Sequence, residues 1–139
     1  AVLGLFPLLL APSLWQEAYG MVVTDAVLRG IPVIVSNQGG LPEAALGVAA
    51  AVVDVNPMAL PLDGSTGCPT WKHRQFPTDQ PLQQWMDAIG SILSSREVYQ
   101  SCSKACREAG ELLLQQQPAL LQQFISWVQQ LHTSWSVTS

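Results

Sequence analysis

Two carboxylates, Glu17 and Asp25, stand eight positions apart in PSLWQEAYGMVVTDAVLRG (Pro12–Gly30), with Tyr19, Gly20 and Met21 between them. The pattern places a helix from about Gly20 to Leu28, so one acid lies in the loop before it and the other inside it. A helix N-terminus offers free backbone N–H groups and a partial positive charge, which suits phosphate. Gly20 lets the backbone come close to a ligand. Asp25 leans back toward the N-terminus and can accept hydrogen bonds from a vicinal diol such as a ribose. Glu17 can reach a second polyhydroxylated group beyond a diphosphate. Two acids flanking a helix start that holds a pyrophosphate is the layout a nucleotide-sugar requires.

Such a loop needs a sheet behind it. Three apolar runs end in turn or polar residues: Leu8–Ala11, Val33–Val35 and Ala51–Val55. Each is too short for a helix, and the valine-rich second and third read as interior strands. The opening AVLGLFPLLLAP reads as a strand buried on both faces, or its lead-in, since it lacks a positive leader and falls short of a membrane span. Gly30 suits a left-handed helix cap, Pro32 the first position of a strand, and Pro42 the first turn of a short helix with Glu43 at its positive end. The order β-α-β-α-β with short connections predicts a parallel sheet, wound right-handed. Ligands of such sheets bind outside the carboxyl ends of the strands, where Glu17 lies.

Beyond Val55 the chain changes character. Residues 56–80 carry Pro57, Pro61, Pro69, Pro77, Gly64 and Gly67 without periodicity, an irregular connection expected to be the least ordered part, with Trp71 and Phe76 as its apolar anchors. Residues 81–132 read as helical. One stripe joins Leu82, Trp85, Met86, Ile89 and Leu93, a second Val98, Cys102, Ala105, Ala109 and Leu112, a third Leu121, Phe124, Val128 and Leu131. Pro118 is expected to separate the last two helices.

With 139 residues, the chain is about one domain, and 48% hydrophobic against 12% charged is apolar for a domain standing alone. That balance, and a start at Ala1, suggests a fragment or processed piece that packs on more protein. Net charge is −4 with six basic residues spread thinly, which argues against a nucleic-acid partner. Three cysteines without a secretory signature disfavour a disulfide framework and favour a reducing compartment, cytoplasmic or within an organelle.

The stretch PSLWQEAYGMVVTDAVLRGIPVI followed by GGLPEA resembles the E-x7-E region of retaining GT-B glycosyltransferases, the large group 1 (family 4) class. The likeness rests on Pro12, Ser13, Glu17, Tyr19, Gly20, Ala26, Gly30, Pro32, Val33, Ile34, Gly39, Gly40 and Glu43. It departs where the second glutamate is Asp25. The resemblance implies a Rossmann-like C-terminal half of a GT-B fold, a short parallel sheet followed by helices, the last crossing back to an N-terminal acceptor domain. That domain, and the basic pair that neutralises the diphosphate, belong upstream of Ala1. Glu17 would contact the donor sugar near the reacting centre and Asp25 would hold the ribose hydroxyls. Backbone N–H groups of Tyr19, Gly20 and Met21 would meet the donor's sugar and phosphates. Such enzymes transfer a sugar from a nucleoside diphosphate with retention, generally with no metal or cofactor. The isolated piece is then expected to be inactive and prone to aggregate.

Simpler roles stand beside these. Asp25 and Arg29 are spaced as an i,i+4 pair, worth only ~0.2–0.5 kcal/mol on a helix. Glu17 suits a helix dipole, and Gly39-Gly40 a plain turn. Cys102 and Cys106 share an apolar face and read as buried thiols, not metal ligands. His73, in the basic cluster WKHR, reads as part of a solvated loop, with contact to a phosphate or acceptor as the lesser alternative, and His132 signals nothing. Two other functions fit the same residues: a nucleotide-sugar-binding module without catalysis, and a helical interaction domain built on 81–132.

Overall fold

The computed structural model of the chain describes residues 7–136, with side chains as far as His132. The expected alternation is present: β1 (Leu9–Ala11), α1 (Met21–Leu28), β2 (Val33–Ser36), α2 (Leu41–Ala44), β3 (Ala51–Val53), α3 (Leu82–Leu93) and α4 (Arg96–Ser136). The strands form one parallel sheet in the order β1-β2-β3, with Leu9 opposite Val33 and Ile34 opposite Ala51. It is a Rossmann-like α/β half, a short parallel sheet followed by helices.

β2 is buried along its whole length because its alternating side chains serve two cores. Val33 and Val35 pack with Val23, Ala26 and Val27 of α1, Leu41 and Ala44 of α2, and Cys106 of α4. Ile34 joins Val53, Val55, and Trp85 and Ile92 of α3 on the other face. α1 ends as expected: Gly30 has φ +71, its N–H bonds to Val27 O at 2.8 Å, and the Ile31 N–H reaches Ala26 O at 2.9 Å. These paired bonds satisfy the last carbonyls and turn the chain into β2.

Several expectations are corrected. Among the described residues the first and third strands are edges, with Leu10 41% and Val52 48% exposed, so neither run is covered on both faces. Residues 1–6 of the opening apolar run lie outside the described residues. Pro118 does not divide two helices; α4 runs through it. Every residue from 114 to 132 is exposed, so the Leu114 carbonyl that loses its N–H partner to Pro118 is open to water. The stripes are rotated as well. Trp85 and Ile92 are buried in α3 while Leu82, Met86 and Leu93 are exposed. In α4, Ser103, Cys106 and Gly110 are buried, and Val98 and Leu112 are not. The seam follows α1: a Cβ on Gly110 would lie 3.1 Å from the Leu28 Cα, and Ser103 Oγ donates to Gly30 O at 2.7 Å. The third stripe, Leu121 to Leu131, is exposed throughout.

The irregular connection 56–80 is an excursion with its own closure. Antiparallel bridges pair Ala59 with Gln75 and Leu62 with Pro69. At its root Gln80 Nε2 donates to Asn56 O at 2.9 Å, the Asn56 N–H donates to Gln80 Oε1 at 3.3 Å, and the Asn56 amide donates to Asp79 O. At its tip Asp63 accepts the Ser65 and Thr66 N–H groups, both at 2.9 Å. Those bonds and the two hydroxyls, Ser65 first, lower the Asp63 carboxyl to about 2.

Candidate functional site

The Glu17 loop, 12–20, leaves the carboxyl end of β1 and is held from behind by the turn after β2. Buried Ser36 donates its one hydroxyl proton to Ser13 O at 2.7 Å, with Ala11 O a weaker acceptor at 3.3 Å. The Gly40 N–H donates to Glu17 O at 2.8 Å. Both glycines of the turn touch the loop's main chain. A Cβ on Gly39 would lie 2.1 Å from Glu17 O, and one on Gly40 2.7 Å from Ala18 O. Gly39-Gly40 is therefore a turn, as its composition says, but one whose missing side chains make room for the acid loop. Buried Gln38 adds a side-chain bond, accepting from Gln16 Nε2 at 3.3 Å. Within the loop, Ser13 Oγ lies 3.2 Å from both Glu17 Oε1 and Trp15 O, and its one proton goes to the charged and stronger acceptor, the carboxylate, which it directs.

Glu17 opens onto a cleft of about 690 Å³, lined by Leu10 to Ser13, by Glu17 to Val22, and by Leu41. That volume is in the range that holds small ligands, ~300–1,000 Å³. The cleft ends on the start of α1, whose N-cap is Gly20 at φ +92 with no side-chain cap bond and no acid in the first turn. The first N–H groups of the helix thus have no side chain competing for them, and Tyr19, Gly20 and Met21 bring them to the cleft wall. Leu41 fixes Gly20 from behind, since a Cβ there would meet its Cδ2 at 2.5 Å. Thr24 Oγ1 lies 2.9 Å from Ala44 O and 3.3 Å from the Tyr19 hydroxyl. Its single proton goes to the carbonyl, leaving the Tyr19 hydroxyl to donate to Thr24. Tyr19 is thereby tied to both α1 and α2.

Asp25 stands apart from this group. The helix is not buried all round: Met21 is 77% and Val22 49% exposed, and the Asp25 side chain is half exposed. Its Oδ2 lies 3.5 Å from Arg29 Nη2, the i,i+4 pair that spacing allows. It does not line the cleft, but it is one helical turn beyond Met21 and Val22, which do. A ligand continuing along that face of α1 would come to it.

Sequence reasoning did not find Ser36, Gln38 or Thr24. Ser36 carried a signal, a small polar residue closing an apolar strand; Gln38 carried none. A further contact was also unseen: Trp15 of the acid loop packs on Trp71 of the excursion, ring centroids 4.6 Å apart and tilted 44°. The Met58 N–H donates to Leu14 O at 2.8 Å, so the excursion is attached to the acid loop at two points.

The cysteines are free thiols: Cys106 buried, Cys102 half-buried and Cys68 exposed. Burial, then the neighbouring Cys102, push the Cys106 thiol up to about 11 against a smaller pull from Arg107. Among the described residues no group of His, Cys, Asp and Glu could hold a metal ion, and no helix is long and apolar enough to cross a membrane. The model of one family, described as Family 4 Glycosyltransferase in conflict systems, matches residues 5–117. No curated protein and no solved structure matches the chain.

Proposed function

The chain belongs to the family 4 glycosyltransferases in conflict systems, and we propose that it is the C-terminal, donor-binding half of a retaining enzyme of the GT-B kind. Glycosyl transfer is the chemistry of the family; the donor and the division of roles are our reading. The observation that carries it is the cleft where Glu17 and the uncapped start of α1 face the same space. A nucleoside diphosphate brings negative charge and many acceptor oxygens, and free N–H groups at a helix start satisfy both. The donor's phosphates lie against Gly20 and Met21, and its sugar lies toward Tyr19 and Glu17. Its ribose runs along α1 to Asp25, which exchanges Arg29 for the diol. This exposed ion pair is worth little, ~0.2–1 kcal/mol, so breaking it costs the ligand little.

As the bond between the anomeric carbon and the diphosphate breaks, positive charge grows on the sugar. The Glu17 carboxylate, oriented by Ser13, stabilises that charge, and the helix start stabilises the leaving diphosphate. The reading needs no cofactor beyond the donor. The acceptor and the rest of the cleft come from an N-terminal domain of the same parent chain.

The test uses the full-length enzyme. Glu17→Gln should lower kcat on the order of 10²-fold with donor affinity nearly unchanged, because its charge acts mainly in the transition state. Asp25→Asn should weaken donor binding by ~1.5–3 kcal/mol, the value of a charge-assisted bond, whereas Asp25→Glu should keep or tighten it. Equal donor Kd in wild type and Asp25→Asn would remove Asp25 from the site. A chain that binds no nucleoside diphosphate at all would instead favour the helical interaction domain.

A further inference from the structure

The cleft described above holds one charged side chain, the acid Glu17, and no cation. A phosphate-bearing ligand entering it meets backbone N–H groups but no neutralising charge from the residues that line it. The chain's densest cationic segment, Lys72-His73-Arg74, is in the excursion that leaves the carboxyl end of β3, the same end of the sheet as the acid loop. In a chain of net charge −4, two of the six Lys and Arg residues stand two positions apart here.

This segment is positioned. Trp71, the residue before it, packs on Trp15, two residues before Glu17. Arg74 is folded back on the same turn: its Nη1 donates to Trp71 O at 3.2 Å, and its guanidinium lies over the Phe76 ring, 5.6 Å from the centroid. A guanidinium above a ring keeps its charge and its other N–H donors, so Phe76 orders Arg74 without neutralising it. Lys72, His73 and Arg74 are all exposed, and the two ion pairs among the described residues, Asp25–Arg29 and Lys104–Glu108, do not involve them. An excursion clasped at its root, packed on the acid loop through Trp71 and carrying cations outside any ion pair is suited to hold an anion beside that loop.

We propose that Lys72 and Arg74 form a phosphate-binding wall beside the acid loop, outside the residues that line the cleft itself, positioned by Trp71 on Trp15, and that they contact a phosphate group of one of the two substrates. This rests on the assignment of the cleft to a sugar donor. The phosphate has two possible sources, the donor's diphosphate and a phosphorylated acceptor. Both present the same chemistry to a guanidinium and an ammonium.

The experiment is calorimetric titration of the full-length protein with inorganic pyrophosphate, UDP, GDP, glucose 6-phosphate and glucose. It compares wild type, Lys72→Gln/Arg74→Gln, and a control of equal charge change on α4, Arg96→Gln/Lys104→Gln. All four positions are exposed, and circular dichroism checks that each variant keeps the fold. The 72/74 variant should lose phosphate affinity by about tenfold for each cation removed, the effect of one charge-assisted bond, while the control changes less than about threefold. Loss confined to pyrophosphate and the nucleotides assigns the wall to the donor; loss confined to glucose 6-phosphate assigns it to the acceptor. Either result supports the proposal. Equal losses in the 72/74 variant and the control overturn it, as does a wild type that binds none of the phosphate probes. If UDP and GDP bind no better than pyrophosphate but the 72/74 variant still loses both, the wall stands and the nucleotide-sugar reading fails.

Discussion

Gly39→Ala tests whether the acid loop is held by the turn beneath it. The new methyl would sit 2.1 Å from Glu17 O and 2.7 Å from Glu17 N, both main-chain atoms that cannot rotate away. Gly39 is also at φ +56, where an L side chain costs ~1–2 kcal/mol. Relief requires the turn and the loop to separate, which gives up the bond from Gly40 N–H to the same Glu17 oxygen, ~0.5–1.5 kcal/mol net. Overpacking of the remaining contacts adds ~1–3 kcal/mol, so the total is about 3–6 kcal/mol. The structure supplies its own control. Gly47 has φ +74 with nothing within 4 Å of its would-be Cβ, so Gly47→Ala should cost only the backbone part, ~1–2 kcal/mol. Urea unfolding followed by tryptophan fluorescence measures both. Any Gly39→Ala protein that remains folded should also turn over more slowly than Gly47→Ala in the full-length enzyme, because Glu17 has been displaced. Equal destabilisation by the two substitutions would refute the contact between turn and loop.

Three other outcomes follow from the packing of α4 and α1. Ser103→Ala removes a buried donor from Gly30 O and should cost ~1 kcal/mol in the same assay, whereas Ser101→Ala, exposed on the same helix, should cost almost nothing. Cys106 favours its neutral thiol in the folded state, so its contribution to stability is complete below the unfolded value of 9.0 and is lost as pH rises through about 11; a Cys106→Ala protein should show a shallower alkaline decline. Arg29→Gln breaks an exposed pair and should change stability by less than ~0.5 kcal/mol in urea, a bound that a larger loss would contradict.

The parts of the fold legible in the sequence were those fixed by local chemistry. Val33–Val35 between Pro32 and Ser36, the Gly30 cap and Pro42 each acted within a few residues and appear where expected. What depended on neighbours was harder to read. Ala51–Val53 has a valine-rich composition suited to an interior strand, yet nothing pairs beyond it among the described residues. The buried side of α4 is set by its crossing of α1, where Ser103 and Gly110 are needed for a hydrogen bond and for close approach, and hydropathy gives such residues no weight. Pro118 suggested a boundary, but where the helix is exposed on every side the cost of the missing bond falls on a solvated carbonyl. The Glu17 loop was found by its residues. Its support by Ser36, Gln38 and the two glycines rests on contacts about 20 residues apart in sequence, which no short pattern contains.

β2 belongs wholly to both cores, and this has a consequence for how the domain opens. A strand covered on one face only becomes free when that layer departs; β2 remains covered until both have gone. Loosening α3 leaves Val33 and Val35 packed, and loosening α1 leaves Ile34 packed. Its amide hydrogens are therefore expected to exchange among the slowest of the domain, which hydrogen exchange would measure. Ser36, the last residue of that strand, holds the chain entering the acid loop. The chain entering the acid loop is thus tied to the one strand that both cores cover.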